Sequence, residues 1–259
     1  MLVKRPLPDA VPRLSRLSQE ELQAEILRRI RGYDVDGEPE VIVERALAYP
    51  FAPPDDSYVI EGREPRPVRD GDVRDDRHPV LAYGSNSSTR ALLRKYAGDL
   101  HLPVLKGELE GFEVVYSSHL SAYGSVPVTL HPASGARIET FVTLVTDEQL
   151  VRLAETEFNY AIRRLDGRRF RGREIEVEAP IAFVSRHGAL GIEGEPIRLV
   201  DRPQREMLDR VRRYLAPDEP LPEFIVRNVR DPERAVAFTA ELKRRKLPFE
   251  HPETTVLDV

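Results

Sequence analysis

Apolar positions recur along the chain at two spacings, one typical of helices and one typical of strands. Helical spacing behind capping residues predicts helices over 40–49, 89–96, 147–158, 202–215 and 231–246. The helix over 147–158 follows a capping box at 146–149, and a further capping box at 18–21 predicts a helix that ends near Gly32. Dense or alternating apolar runs predict strands over 104–116, 126–130, 137–145, 173–184 and 194–200.

The segment 137–145 is apolar on both of its alternating faces. Ile138 and Leu144 lie on one face, and Phe141 lies on the other. Such a strand is buried on both sides. We therefore expect an α+β (mixed α/β) fold, in which a mixed, mostly antiparallel sheet curls toward a small barrel over 78–190. Helices pack on this sheet, and extra helical segments lie at both termini.

Proline and aspartate concentrate in residues 50–79, ahead of the first dense apolar run. This composition favours a surface excursion and marks a domain boundary. We predict an N-terminal helical extension with a linker over 1–77, a core over 78–190, and a C-terminal helical extension over 191–259.

Composition narrows the functional classes. The net charge of −5 argues against general nucleic-acid binding. Cysteine is absent, which excludes disulfides and a cysteine nucleophile. No apolar run approaches the ~20 residues of a membrane-spanning helix, and the N-terminus lacks the apolar stretch of a signal peptide. We expect a soluble, cytoplasmic monomer or homodimer with no nucleic-acid or membrane partner.

The stretch His78–Asn86, H-P-V-L-A-Y-G-S-N, is the first candidate for chemistry. An apolar strand ends at Tyr83 and Gly84, and a helix follows the small polar residues. Gly84 permits close backbone approach and unusual dihedral angles. The backbone N–H groups of Gly84, Ser85 and Asn86, next to a helix N-terminus, suit a small anion. The alternative is a strand–helix connection that Ser or Asn caps, in which Tyr83 fills the core.

Glu157 is the second candidate, because its spacing puts a carboxylate on the inward stripe of the helix predicted over 147–158. It shares a face with Leu153, whereas Glu155 falls on the opposite, solvated face. Burial raises the proton affinity of a carboxylate, which suits a general acid/base. The alternatives are that Glu157 lies half-exposed at the helix end or pairs with a nearby arginine.

The order of these motifs resembles the γ-glutamylcyclotransferase-like family over roughly residues 78–185. The matching stretches are Y-G-S-N at 83–86, Y-G-S-V-P-V-T-L at 123–130, F-V-T-L at 141–144 and L-A-E-T-E at 153–157. The four-residue loop is a weak motif by itself, and the ordered set with its spacing is more specific.

The resemblance implies an enzyme that cyclises a γ-glutamyl amide or amine and releases 5-oxoproline with a free amine. In that family the loop matching Tyr83–Asn86 holds the α-carboxylate of the γ-glutamyl group. The glutamate matching Glu157 takes the proton from the α-amine, which then attacks the γ-carbonyl. Tyr123 is the further substrate-binding residue that the resemblance implies. No metal or cofactor is expected, and the expected partner is a small γ-glutamyl substrate.

The chain departs from the family pattern at three positions. The family has Leu-Asp-x-x-Glu-Gly around the glutamate. This chain has Ala154 at the position of the Asp and Phe158 at the position of the Gly, and it has Ser87 where the family has an apolar residue after the loop. The segments 1–77 and about 190–259 have no counterpart. The alternative hypothesis is therefore a non-catalytic protein of the same fold that binds a small carboxylate ligand or serves as an accessory.

The histidines are scattered without the spacing of a metal site. His119, which precedes Tyr123, is a candidate for the rim of the same pocket. Its alternative is a surface or hydrogen-bonded structural role.

Overall fold

The computed structural model describes residues 6–11, 21, 24, 37–96, 98–191 and 194–257. Within these ranges the helices are α1 (Pro39–Leu47), α2 (Thr89–Lys95), α3 (Asp147–Thr156), α4 (Gln204–Leu215), α5 (Leu221–Arg230) and α6 (Pro232–Leu242). The helix predicted after the capping box at 18–21 lies outside the described residues, apart from Glu21 and Ala24. In the described part of the chain, no helix has the length and apolarity to cross a membrane.

Twelve strands accompany these helices in the described ranges. They are β1 (Tyr58–Gly62), β2 (Glu64–Pro67), β3 (His78–Ala82), β4 (Leu100–Tyr116), β5 (Val128–Val145), β6 (Tyr160–Leu165), β7 (Arg169–Gly172), β8 (Glu176–Glu178), β9 (Ile181–Ser185), β10 (Ala189–Leu190), β11 (Lys246–Leu247) and β12 (Thr254–Val256).

Ten of the strands form one sheet. Its order is β12-β6-β9-β3-β5-β4-β1-β2, with β7 paired to β4 and β8 paired to β7, while β10 and β11 pair separately. Every pairing except that of β3 with β9 is antiparallel. The predicted mixed α/β fold with a mostly antiparallel sheet is confirmed.

The sheet is not closed into a barrel. The outermost strands of its order, β12 and β2, do not pair with each other. β2 contains Pro65 and Pro67, which have no backbone N–H to donate, and three of its four residues are exposed. Proline is tolerated at an edge strand and not inside a sheet, so the sheet ends at β2 instead of curling to closure.

β4 and β5 form a long antiparallel hairpin of 17 and 18 residues. β5 joins the segments 126–130 and 137–145, which the sequence predicted as separate strands. The register shifts between Glu110 and Phe112, and Gly111 between them has a φ of +86°. Glycine supplies the positive φ that this bulge needs.

The three central strands are buried on both faces, as predicted for 137–145. β3 and β9 are buried throughout, and the last six residues of β5 are all buried. Along β5, Phe141 belongs to a hydrophobic core on one side of the sheet, and Val142 belongs to a second core. Leu92 of α2 and Leu153 of α3 join the first core, so both helices next to the predicted motifs are anchored on the same side of the sheet.

The prediction of a surface excursion over 50–79 is wrong for β1, and β2 forms an exposed edge strand of the sheet. Tyr58, Val59 and Ile60 are buried, and Tyr58 is opposite Val104 of β4 in the sheet. Three residues that favour strands stand between prolines and aspartates, and the composition of those neighbours concealed the strand.

Other elements also differ from prediction. Neither β6 nor α5 was predicted from the sequence. The described part of the strand predicted at 194–200 forms only a bridge between Arg198 and Val115 and a short 3-10 turn at Leu199–Asp201. Val200 is 84% exposed, whereas Ile197 and Leu199 pack against the core that contains Tyr116, so the stretch buries part of its apolar surface without forming a regular strand.

The C-terminal helices pack beside the turn that carries Tyr123. Gly124 has a φ of +84°, and a Cβ there would lie 2.9 Å from Val229 Cγ2 and 3.1 Å from Ile225 Cγ2. The backbone therefore approaches α5 at a distance that glycine permits. Phe224, Ile225 and Val229 share a hydrophobic core with Tyr116 and other residues of the sheet, and β12 adds a strand to that sheet.

Candidate active site

A cleft of about 680 Å³ lies among α1, α2, the turn at Tyr123 and the end of α3. Ser85, His119, Tyr123 and Glu157, all of which the sequence singled out, are among its lining residues. A concave site of this size suits a small-molecule ligand.

Asn86, Lys95 and Glu157 form what we call the charged wall of this cleft. Asn86 Nδ2 donates a hydrogen bond to Glu157 Oε1 at 3.0 Å, and Lys95 Nζ donates to Asn86 Oδ1 at 2.7 Å. Lys95 also forms an ion pair with the same oxygen of Glu157. The side chains of Lys95 and Glu157 are only 15% and 12% exposed, so water screens this pair less than a surface pair.

Glu157 reaches this position because α3 ends just before it. The predicted capping box is confirmed, since Gln149 N donates to Thr146 Oγ1 at 3.2 Å and Thr146 N donates to Gln149 Oε1 at 2.9 Å. The helix ends at Thr156, and Glu157 is its C-terminal cap with φ −106° and ψ 35°. Glu157 thus leaves the helical stripe on which the prediction placed it, and its partner is a lysine rather than an arginine.

Glu155 has a different environment from Glu157. Its side chain is 41% exposed and pairs with Arg152 Nη1 at 3.0 Å. It was predicted to point to solvent, and it also contributes to the lining of the cleft. The two carboxylates of this segment therefore share the cleft but differ in burial.

The loop after β3 begins with a 3-10 turn, Ser85–Ser87. The amides of Ser87 and Ser88 donate within this turn, to Gly84 O at 3.1 Å and Ser85 O at 3.0 Å. The amides of Ser85 and Asn86, which come before these two donors, do not donate to the carbonyl groups of the turn. Of the loop, Ser85 lines the cleft, and Asn86 reaches it through Glu157.

Gly84 is needed for space rather than for its dihedral angles. Its φ is −128°, which lies outside the left-handed region that favours glycine. Gly84 therefore does not have the positive φ that would require a glycine. A Cβ there would lie 3.0 Å from Tyr49 Oη and 3.2 Å from Val128 Cγ2. The backbone at Gly84 therefore comes close to the side chains of Tyr49 and Val128, and not to an open ligand site.

The structure separates the two tyrosines that were predicted to bind substrate. Tyr83 does not line the cleft, and its hydroxyl donates to the carbonyl of Phe183. It packs against two of the hydrophobic cores, as in the core-filling alternative. Tyr123 lines the cleft, and its ring centroid lies 6.1 Å from that of Tyr49.

Two further tyrosines of the cleft, Tyr49 and Tyr160, fix the start of β5. Val128 N donates to Tyr49 Oη at 3.0 Å, and Tyr160 Oη donates to Val128 O at 3.0 Å. Burial raises the pKa of both hydroxyl groups well above their usual value. Both therefore stay protonated and hold Val128 from two sides.

Ser117, His119, Ser185 and His187 form what we call the histidine wall. The rings of His119 and His187 stack with centroids 4.4 Å apart. Ser117 Oγ lies 2.8 Å from His119 Nδ1 and 2.6 Å from Ser185 Oγ. Burial lowers the pKa of His119 to about 3 and that of His187 well below its usual value. The wall is neutral near pH 7, and His119 both lines the cleft and is buried.

His187 connects this wall to the cleft by a second route. Its Nε2 lies 2.9 Å from Asn159 Oδ1, and Asn159 also lines the cleft. Sequence reasoning considered His119 alone, because nothing in the spacing of the two histidines indicates that their rings meet.

Lys95 is the main site residue that sequence reasoning missed. A lysine in the last turn of a helix is common, because the helix dipole favours a cation there. Only five of the 39 basic residues are lysines. This rarity was the one sequence feature that could have drawn attention to Lys95. Tyr49 was missed because it stands at the end of the helix predicted over 40–49, directly before the stretch predicted to be a surface excursion.

A separate group, Glu61, Asp72 and His101, places three potential metal-ligating atoms within 4.8 Å of one another. Arg66 occupies the space between the acids, with Nη2 2.6 Å from Glu61 Oε2 and Nη1 2.7 Å from Asp72 Oδ2. Hydrogen bonds from Arg66 lower the pKa of Asp72 to about 2. The guanidinium holds both carboxylates by hydrogen bonds, so we assign this group a structural role.

Comparison with known protein families, with curated proteins and with solved structures finds no match to this chain. The functional argument therefore depends on the residues and geometry of the cleft.

Proposed function

We propose that this protein is a γ-glutamylcyclotransferase-type enzyme, which cyclises a γ-glutamyl amide or amine and releases 5-oxoproline and a free amine. The observation that carries the proposal is the hydrogen bond between Asn86 and Glu157. The α-carboxylate and the α-amine are bonded to one carbon of the substrate. The reaction therefore needs a group that holds the carboxylate close to a group that accepts a proton from the amine. A loop and a carboxylate in direct contact meet that requirement.

In this proposal the zwitterionic end of the substrate takes over the ion pair of the charged wall. The α-ammonium binds the Glu157 carboxylate, and the α-carboxylate binds Lys95 together with the amides of Ser85 and Asn86. Each charge keeps a partner during the exchange, so binding leaves no buried charge unpaired. The neighbouring Tyr49 and Tyr123 rings supply an apolar surface for the methylene groups of the glutamyl chain.

Glu157 then accepts a proton from the α-ammonium. The free amine attacks the γ-carbonyl carbon, and the departing nitrogen takes the proton held by Glu157 as its C–N bond breaks. The ring nitrogen then passes its remaining extra proton through Glu157 to the released amine, which leaves as an ammonium ion. The products are 5-oxoproline and the free amine. Because the attack is intramolecular, positioning supplies much of the rate acceleration.

A second candidate is a binding protein that holds a small carboxylate ligand without turnover. The observation that favours it is the ion pair between Lys95 and Glu157, in which the carboxylate already has a cation as its partner. Phe158, in place of the family's glycine, also lines the cleft and is buried. In this alternative Lys95 and the loop bind the ligand, and Glu157 only orients Lys95.

Measurement of 5-oxoproline released from a panel of γ-glutamyl amino acids and γ-glutamyl amines separates the two candidates. For the enzyme, Glu157→Gln lowers turnover by about 10²–10⁴-fold, the range typical of a general acid/base, while Lys95 and the loop still bind the α-carboxylate of the substrate. Glu155→Gln is the matched control from the same segment and should have almost no effect. Ligand binding without release, or equal effects of the two variants, would support the binding protein.

A further inference from the structure

The cleft carries more positive than negative side chains, although the chain as a whole has a net charge of −5. The charged residues in its lining are the cations Arg45, Arg94, Lys95 and Arg152 and the carboxylates Glu155 and Glu157. A cleft whose charge opposes that of the rest of the molecule concentrates anions.

Two of these cations are balanced by the two carboxylates. Lys95 pairs with Glu157, and Arg152 pairs with Glu155. Arg94 differs, because no carboxylate lies within ion-pair distance of it among the described residues. Within the described part of the chain its charge is therefore not neutralised by a carboxylate.

Arg94 is nevertheless held in place. Its guanidinium carbon lies 5.1 Å from the centroid of the Phe51 ring. A cation–π contact orients a guanidinium without neutralising it, and its N–H groups still fit a carboxylate in a bidentate manner. Phe51 is buried and has a φ of +65°, a conformation that a bulky residue keeps only where its surroundings enforce it.

The same ring provides an internal comparison. Arg90, one helical turn earlier on α2, lies 5.5 Å from the Phe51 centroid but does not line the cleft. Both arginines are exposed residues of one short helix. A ligand in the cleft would contact Arg94 and not Arg90.

We propose that Arg94 binds a carboxylate on the departing part of the substrate, so that the protein acts on γ-glutamyl amino acids or peptides in preference to γ-glutamyl amines. This inference rests on the proposed function, in which Lys95 and the loop already serve the α-carboxylate of the glutamyl part. The departing carboxylate does not react. It leaves on the amino acid whose nitrogen has gained the proton, while the glutamyl part leaves as 5-oxoproline.

The test compares γ-glutamyl-alanine with γ-glutamyl-alaninamide, which differ only in the departing carboxylate. We expect kcat/KM for γ-glutamyl-alanine to be about 10- to 100-fold higher, as for a hydrogen bond to a charged group. Arg94→Gln should bring the two values together by lowering the first. Arg90→Gln should leave the preference unchanged.

The same pair of compounds is then bound to the Glu157→Gln variant and to Glu157→Gln/Arg94→Gln in a calorimeter. If neither compound yields 5-oxoproline but γ-glutamyl-alanine binds more tightly and Arg94→Gln removes that difference, the proposed reaction fails and the role of Arg94 stands.

Three results would overturn the role of Arg94. These are equal values for the two compounds in both assays, a preference that persists in Arg94→Gln, and an equal loss for both compounds in Arg94→Gln. The last result would place Arg94 on the α-carboxylate instead. Failure of both compounds to bind or react would likewise remove the inference.

Discussion

The charged wall and the histidine wall face one cleft but accommodate ionisable groups in opposite ways. On the charged wall, Lys95 and Glu157 form an ion pair. On the histidine wall, burial lowers the pKa values of His119 and His187, and both rings are neutral near pH 7. One wall presents paired charges to a ligand, and the other presents uncharged donors and acceptors.

The difference follows from the partners that each wall offers. The imidazole rings of His119 and His187 have Ser117 and Asn159 as hydrogen-bond partners, and both partners are neutral. A buried imidazole without a carboxylate beside it loses its proton instead of keeping a charge. Of these two walls, only the charged wall therefore presents ionic groups to a ligand.

The largest expected effect is a loss of stability in acid that originates in the histidine wall. The pKa of folded His119 is about 3, against an ordinary value of 6.5, so between these values the unfolded state binds more protons. Stability therefore falls as the pH drops below about 6.5, by up to about 1.4 kcal/mol per pH unit for each neutral histidine. Urea unfolding at pH 7, 6 and 5 measures the slope.

His119→Asn is the comparison for that slope. Asparagine retains a hydrogen-bonding group near Ser117 and cannot ionise, so we expect lower stability at pH 7 and a flatter decline toward pH 5. An identical decline in the wild type and the variant would assign the acid sensitivity to other groups.

The next largest effect concerns the ion pair of the charged wall. In a double-mutant cycle of Lys95→Met and Glu157→Gln, we expect a coupling energy of about 1–3 kcal/mol, because each residue is a close, partly buried partner of the other. The cycle is measured by urea unfolding at pH 7.

The pair formed by Arg152 and Glu155 is the matched control. Its side chains are 54% and 41% exposed, so the cycle of Arg152→Met and Glu155→Gln should give about 0.2–1 kcal/mol. Equal couplings in the two cycles would mean that burial does not distinguish the charged wall.

A smaller effect is expected where the loop of the charged wall meets Tyr49. Gly84→Ala places a Cβ 3.0 Å from Tyr49 Oη and should destabilise the fold by about 1–2 kcal/mol through overpacking. The loss should be smaller when Gly84→Ala is made in a Tyr49→Phe background, which removes that oxygen. Additive losses in the thermal unfolding of the double variant would contradict the contact.

The smallest effect concerns the capping box that begins α3. Thr146→Ala removes the acceptor for Gln149 N and should cost about 1 kcal/mol. Because Glu157 lies at the far end of this helix, turnover should change little while the protein stays folded. A large loss of turnover at full folding would show that the cap also positions the charged wall.

The sequence predicted local features of the charged wall and missed its central contact. The capping box at Thr146 and the helix it opens follow from adjacent residues, and the order of the motifs brought Asn86 and Glu157 into one hypothesis. The ion pair with Lys95 depends on where α2 lies relative to the end of α3. Such packing is set by the hydrophobic cores under both helices, and no local pattern records it.

The histidine wall was less predictable for the same reason. Ser117 and Ser185 come from distant parts of the chain, and their contact depends on the pairing of strands. Strand burial was easier to predict, because the apolar run around Phe141 and Val142 shows both faces in one segment. The edge strand β2 was missed because its prolines resemble those of a loop.

The close approach of Gly124 to α5 also bears on how the site assembles during folding. Tyr123 lines the cleft, yet the surface against which its turn packs includes Ile225 and Val229, about a hundred residues later in the sequence. Contacts of such large sequence separation form slowly, because chain entropy must be lost before they are made. We therefore expect the turn at Tyr123 to take its final position only after α5 has packed, so that a nascent chain still lacking α5 would carry the motif residues without this support for the turn.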